Sequence, residues 1–267
     1  MDLVTVTEVV PADRSASDRW LDGDGWLAGG TWLLSEPQPA LRRLIDLQAF
    51  GWPALTVSDG GLELAATCTL AQLHAFKPPP RWPAAALFRQ CCAALLGSWK
   101  VWQTATVGGN MCLALPAGPI TALVAALDGT CVIWGPDGAT RAVPAATFVT
   151  GAGTNVLARG ELLRAVVLPE AALRSRTALR RMAISPLARS AALVIGRRDS
   201  GGTVVITVTA AVTYPLLLRF GELPGAEQLA AALIRAQPRW HDDVHGDPAW
   251  RAHVAGLLAE QVRAELA

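Results

Sequence analysis

Two glycine-rich segments carry the residue types from which a phosphate-binding site can be assembled. They are Ala28-Gly29-Gly30-Thr31 and Thr106-Val107-Gly108-Gly109-Asn110. Glycine marks any turn that needs a positive φ, so one Gly-Gly pair is uninformative. Two such segments say more, because each has a hydroxyl and the second adds an amide side chain. Together they can hold a pyrophosphate from two sides through backbone N–H groups, without a charged side chain for every oxygen.

Other candidates are weaker. His241-Asp242-Asp243-Val244-His245-Gly246-Asp247 contains metal-ligand residue types, and two histidines four apart can share a helical face. Gly246 and Pro248 break a helix there and no distant fourth ligand stands out, so a solvated turn before the last helix is expected and no metal is assigned. Gly151-Ala152-Gly153-Thr154-Asn155 resembles part of a dinucleotide turn but lacks the third glycine and the following acid; a loop joining two strands is expected. Cys68, Cys91, Cys92, Cys112 and Cys131 form no C-x-x-C pair and no zinc or iron–sulfur spacing. They read as small buried hydrophobes of a reducing cytoplasm, which puts any iron–sulfur cluster on another chain. A G-x-S-x-G elbow and a P-loop lysine are both absent, so hydrolase and phosphotransferase readings lack support.

The elements that must position the glycine segments can be read from apolar patterning. Residues 25–28 form a short strand running straight into Gly29-Gly30, and residues 41–47 pass from a short helix into a strand. Residues 61–68 alternate as a half-buried strand, and residues 70–76 make a helical turn. Residues 84–99 are helical by three- and four-residue spacing and feed the second segment. Helix 120–127, strand 131–134, a hairpin turn at 135–138 and strand 162–168 follow. An arginine-rich stretch at 169–176 crosses to a second domain, where 190–195 and 203–212 pair and 226–236 and 250–266 are helices. The fold class is therefore α+β with two lobes. At 267 residues the chain has room for two domains.

Composition limits the function classes. The net charge of +1 leaves no electrostatic footprint for nucleic acid. Charged residues are only 17%, and mean hydropathy is +0.33. No run of charge-free apolar residues is long enough to span a membrane, and the N-terminus MDLVTVTEVV is not a secretory signal. The apolar excess favours burial against partner subunits, and deep burial inside a large core would give the same figure. Of the ten tryptophans, Trp26 and Trp134 are expected in the core, while Trp32, Trp99 and Trp102 flank the glycine segments.

With these residues in view, the chain resembles the FAD-binding medium subunit of molybdenum hydroxylases, the group that includes carbon monoxide dehydrogenase and xanthine dehydrogenase. The family's first loop reads roughly A-G-G-T-D-L-L, here Ala28-Gly29-Gly30-Thr31-Trp32-Leu33-Leu34; the second reads roughly I-R-N-x-A-T-I-G-G-N, here residues 101–110. Leu44-Ile45-Asp46-Leu47, Pro116-Ala117-Gly118, residues 123–128 and Gly160-Glu161-Leu162-Leu163 extend the likeness, and the final hundred residues resemble the family's small C-terminal domain.

The resemblance implies a two-lobed, PCMH-type (vanillyl-alcohol-oxidase-like) FAD-binding domain at 1–168, with subdomains of about 1–55 and 56–168. A small α+β domain at 169–267, of the carbon monoxide dehydrogenase flavoprotein type, would follow. It implies FAD contacts from the backbone of Ala28, Gly29, Gly30, Thr31, Trp32 and Leu33, from Gly108 and Gly109, and from the side chains of Thr106 and Asn110. Leu163 and Arg180 join this set, Arg180 standing where a lysine near the cofactor is common. It further implies an oxidoreductase subunit, cytoplasmic, in a dimer of heterotrimers with a small 2Fe-2S subunit and a large molybdopterin-binding subunit. Electrons would pass from the 2Fe-2S clusters through FAD to NAD+, a quinone or oxygen. The sequence departs from the pattern at Trp32 and Pro119, where aspartates are usual, and at Trp102 and Gln103, where Arg-Asn is usual. Two alternatives remain open at this point: a structural subunit with weak or lost FAD binding, and a stand-alone FAD oxidoreductase.

Overall fold

The computed structural model describes residues 3–267. Its first sheet is small and parallel: β1 (Glu8–Pro11), β2 (Asp24–Leu27) and β3 (Arg43–Asp46), with β3 in the middle. Parallel neighbours need a crossover, and the one from β2 to β3 carries the first glycine segment. The buried Asp24 accepts two hydrogen bonds from Arg43, at 2.8 and 2.6 Å. That bidentate pair ties β2 to β3 and fixes where β2 delivers the chain into the turn. The same hydrogen bonds hold the Asp24 carboxyl below the usual carboxylate range despite the opposing effect of burial.

The second sheet is antiparallel and five-stranded, ordered β4 (Leu55–Ser58), β5 (Gly61–Ala65), β10 (Leu162–Pro169), β6 (Thr130–Trp134) and β7 (Thr140–Pro144). Between β7 and β10 run a single turn α6 (Ala145–Phe148) and the hairpin β8 (Val149–Gly151) and β9 (Thr154–Asn155), so Gly151 to Asn155 do join two strands. Helices α1 (Leu70–Ala75), α2 (Ala86–Ala94), α3 (Trp99–Thr104), α4 (Val107–Leu113) and α5 (Pro119–Ala126) share the core of this sheet. Every residue of α5 is buried. That fits a helix whose sequence is apolar on all sides.

The last unit starts after the single turn α7 (Glu170–Leu173). It is an antiparallel meander of β11 (Arg176–Met182), β12 (Ala192–Arg198), β13 (Val204–Thr209) and β14 (Leu216–Phe220), followed by α8 (Ala226–Arg235) and α9 (Pro248–Glu265). Strand β12 is buried on both faces with a period of two. Leu193 and Ile195 join the core shared with α5, while Ala192 and Val194 join the core under α9. Gly196 continues the α9 face, and a Cβ there would lie 2.3 Å from Val262 Cγ1. A charged cluster seals the contact with α5: the buried Arg197 donates to Ala126 O and to the carboxylates of Asp128 and Asp199, and Arg219 also pairs with Asp128.

Three expectations need correction. The helix expected over 84–99 is broken: α2 ends at Ala94, Leu95 is extended, and Ser98 caps a new helix, α3. Residues 41–42 are not helical, because the Arg42 N–H is spent on Gly23 O at 2.7 Å. The second glycine segment is not an open turn. It is the first turn of α4, with the Thr106 hydroxyl accepting from the Gly109 N–H at 3.0 Å.

Candidate cofactor-binding cleft

A cleft of about 1030 Å³ opens where the three units meet. One wall is the turn that follows β2. Gly30 has φ +68°, a left-handed value that glycine adopts without cost, and Gly30 O closes the turn by accepting from the Leu34 N–H at 2.8 Å. Gly29 answers a different demand: a Cβ there would stand 1.7 Å from Thr104 O, because the turn rests directly on the backbone at the end of α3. The first glycine segment is thereby held against the residues that lead into the second. Between them, the backbone N–H groups of Gly29, Gly30, Thr31, Trp32 and Leu33 find no protein acceptor among the described residues.

The second wall is α4 and the entry to α5. Thr106, Gly109, Asn110 and Leu113 face the cleft, with Gly118 beyond them. Asn110 Oδ1 accepts from the Ile120 N–H at 3.1 Å, tying the two helices together. The third wall comes from the last unit: the β11–β12 connection from Leu187 to Ser190, and His245. Arg181 fixes that connection by donating to Ser190 Oγ at 2.7 Å and Ala188 O at 2.6 Å. The Arg189 guanidinium lies 5.4 Å from the centre of the Trp32 ring. His245 Nδ1 is shielded from solvent without a protein partner.

Ala28, Gly29, Gly30, Thr31, Trp32, Leu33, Thr106, Gly109 and Asn110 are thus brought together on the cleft. Gly108, Leu163 and Arg180 lie elsewhere. Gly108 faces the end of β5, where a Cβ would meet Ala66 Cβ at 2.6 Å, so packing rather than a ligand requires glycine there. Leu163 is buried in β10 opposite Ile133. Arg180 sits on β11 in an ion pair with Glu265. Sequence reasoning did not place Arg189 on the cleft and weighed His245 only as a metal ligand, since both lie in irregular stretches without periodicity. Among the departures from the family pattern, Pro119 starts α5 as its first residue, and neither Trp102 nor Gln103 faces the cleft. Farther along, Asp243 is engaged by Arg251 and by His241 at 3.1 Å, while Asp247 caps α9.

The lining chemistry suits a flavin dinucleotide. Unpartnered N–H donors and a cation are matched by no carboxylate, which suits a diphosphate. Leu95, Leu96, Val101, Leu113 and Leu115 add apolar surface suited to a planar ring. Cys112 also lines the cleft, but burial pushes its thiol up to about 12, so it is neither a ready nucleophile nor a thiolate ligand at neutral pH.

The family model for the FAD binding domain in molybdopterin dehydrogenase matches residues 23–171, more than half of the chain. The chain belongs to this family. Solved structures of similar fold include quinoline 2-oxidoreductase from Pseudomonas putida 86, at 20% identity and TM-score 0.83, covering 100% of this chain and 98% of that one. Carbon monoxide dehydrogenase from Oligotropha carboxidovorans is also similar, at 20% identity and TM-score 0.83, with 99% of each chain covered. So is the enzyme from Hydrogenophaga pseudoflava, at 21% identity and TM-score 0.79, with 96% of each covered. Comparison with curated protein sequences gives no match. As a member of the molybdopterin dehydrogenase FAD-binding family, the chain is an FAD-binding oxidoreductase subunit. No helix among the described residues is long and apolar enough to cross a membrane.

Proposed function

We propose that this chain is the electron-transfer flavoprotein subunit of a heterotrimeric molybdenum hydroxylase. In this reading it works in the cytoplasm beside a small 2Fe-2S subunit and a large molybdopterin-binding subunit, in a dimer of heterotrimers. It takes electrons from the clusters of the small subunit and passes them to NAD+, a quinone or oxygen. The observation that carries the reading is the row of unpartnered N–H groups from Gly29 to Leu33, facing a cleft that has no carboxylate.

Bound FAD supplies the redox chemistry, since a flavin exchanges both single electrons and pairs. The protein's share is binding and placement. The N–H groups of residues 29–33 would hold the diphosphate oxygens, and Gly109 leaves room on the facing wall, where among the described residues a Cβ would meet Thr106 Oγ1 at 3.0 Å. Thr106 Oγ1 caps α4 by accepting from the Gly109 N–H, which holds that amide in place and leaves the hydroxyl proton free to donate into the cleft. Asn110 fixes the α4–α5 corner through Oδ1, and its Nδ2 is free to donate into the cleft.

Affinity purification of the full chain from its native source tests the assembly. Recovery of a 2Fe-2S subunit and a molybdopterin subunit in equal amounts supports the proposal. A fully active monomer working alone on a small substrate would replace it with the stand-alone oxidoreductase. An assembled complex lacking flavin would replace it with the structural subunit.

A further inference from the structure

We propose that Arg189, held over the face of Trp32, is the counter-charge that closes the diphosphate site from the C-terminal side of the cleft. The inference rests on the FAD reading above and adds a residue to it. Arg189 is exposed and makes no ion pair or hydrogen bond among the described residues. Most other arginines that line up against this sheet are committed: Arg180 to Glu265, Arg181 to Ser190 and Ala188, and Arg197 to Asp128 and Asp199. Arg189 instead stands 5.4 Å from the Trp32 ring centre, within the range in which an aromatic face attracts a guanidinium.

That geometry has a consequence for charge. An aromatic face orients a cation without neutralising it, and without taking up its N–H donors, which lie in the guanidinium plane. Trp32 itself is in the row of free backbone donors, so the cation lies on the same cleft as those N–H groups, on the ring side of Trp32. No Asp or Glu lines the cleft to compete for it. The connection that carries Arg189 is pinned at both neighbours through Arg181, so the charge is delivered by a fixed backbone. A ligand diphosphate is the anion chemistry that satisfies both donor sets together.

The test uses the full chain stripped of flavin and titrated with FAD at low and high salt, with phosphorus NMR of the bound dinucleotide. Arg189→Ala is expected to weaken FAD binding about tenfold at low ionic strength, as for loss of a charge-assisted contact. The deficit should shrink as salt is added. The diphosphate resonances should move while the visible flavin bands stay in place. Arg189→Lys should recover part of the affinity. Trp32→Asp, which puts a carboxylate against the guanidinium, should weaken binding more than Trp32→Ala. Wild-type binding with an unchanged Arg189→Ala variant would overturn this inference alone. So would a variant whose visible bands move while its phosphorus resonances do not. A wild-type chain that takes up no FAD would overturn the FAD reading, and this inference with it.

Discussion

Replacing Gly29 by alanine tests the contact between the first glycine segment and the end of α3. The added Cβ would lie 1.7 Å from Thr104 O and 2.6 Å from the Thr104 carbonyl carbon. Real Cβ atoms stay outside 3.0 Å, so the turn must retreat by at least the difference, 1.3 Å. The α3 side will not yield easily: Ser98 caps that helix, and the Ala105 N–H is bonded to Val101 O at 2.7 Å. The half-buried turn therefore moves, carrying the N–H groups of residues 29–33 away from the opposite wall. Overpacking of this kind costs about 1–3 kcal/mol. In the free protein the turn can relax, so most of the cost appears when ligand forces it back. FAD affinity should fall by about 5- to 150-fold. Flavin fluorescence titration of Gly29→Ala measures this, and thermal unfolding followed by circular dichroism checks the fold. Gly201→Ala is the control, since nothing lies within 4 Å of its Cβ and its backbone is ordinary. A Gly29→Ala variant with wild-type affinity and wild-type Tm would refute the reasoning.

The two glycines of α4 should separate in their effects. Gly108→Ala meets Ala66 and should lower stability by about 1–3 kcal/mol in urea unfolding. Gly109→Leu puts a side chain on a residue that lines the cleft and should abolish FAD retention, with a smaller loss of stability than Gly108→Ala because its Cβ presses only on the capping Thr106 Oγ1 at 3.0 Å. Acid sensitivity follows from the carboxylates. Hydrogen bonds from Arg81 and Arg174 lower Glu170 to about 2, and Asp128 is held low by Arg219 and Arg197 against the raising effect of its burial. For Glu170 the stabilisation is complete above the ordinary carboxylate range and is lost as pH falls from about 4.5 toward about 2; for Asp128 it is lost as pH falls below the ordinary aspartate range. Asp128→Asn should cost about 1–3 kcal/mol at pH 7, and the gap to wild type should close in acid unfolding curves. Burial pushes the thiols of Cys68, Cys92, Cys112 and Cys131 up to about 12. Alkylation of the native protein at pH 8 should therefore be slow, and fast only after unfolding.

The elements legible in the sequence are those with a strong apolar signal. The buried strands β10 and β12–β13 and the helix α5 could be read from patterning, because burial on two faces leaves a largely apolar run, interrupted only by Arg164 in β10, by Arg197 and Arg198 at the end of β12, and by threonines in β13 and α5. Strands β4, β7 and β14 escaped, since they are sheet edges with exposed residues and no clean alternation. The first glycine turn was legible as a turn because Gly30 needs its left-handed φ. The second was not legible as a helix start: glycine disfavours helices, and only the Thr106 cap and the close approach of Ala66 to Gly108 override that preference. The position of Arg180 off the cleft was not legible for a related reason. Which arginine of a strand and its following loop reaches the site depends on the strand's length and register, and these place Arg180 beside Glu265 and Arg189 beside Trp32.

The central claim is that the walls formed by residues 28–33 and 106–110 hold FAD. The visible absorption spectrum of the purified full chain, followed through a titration with FAD, addresses it most directly. The account predicts the paired bands of an oxidised flavin, saturating at one FAD per chain and lost from Gly109→Leu. A well-folded protein that is colourless, and stays colourless with FAD in excess, would contradict it.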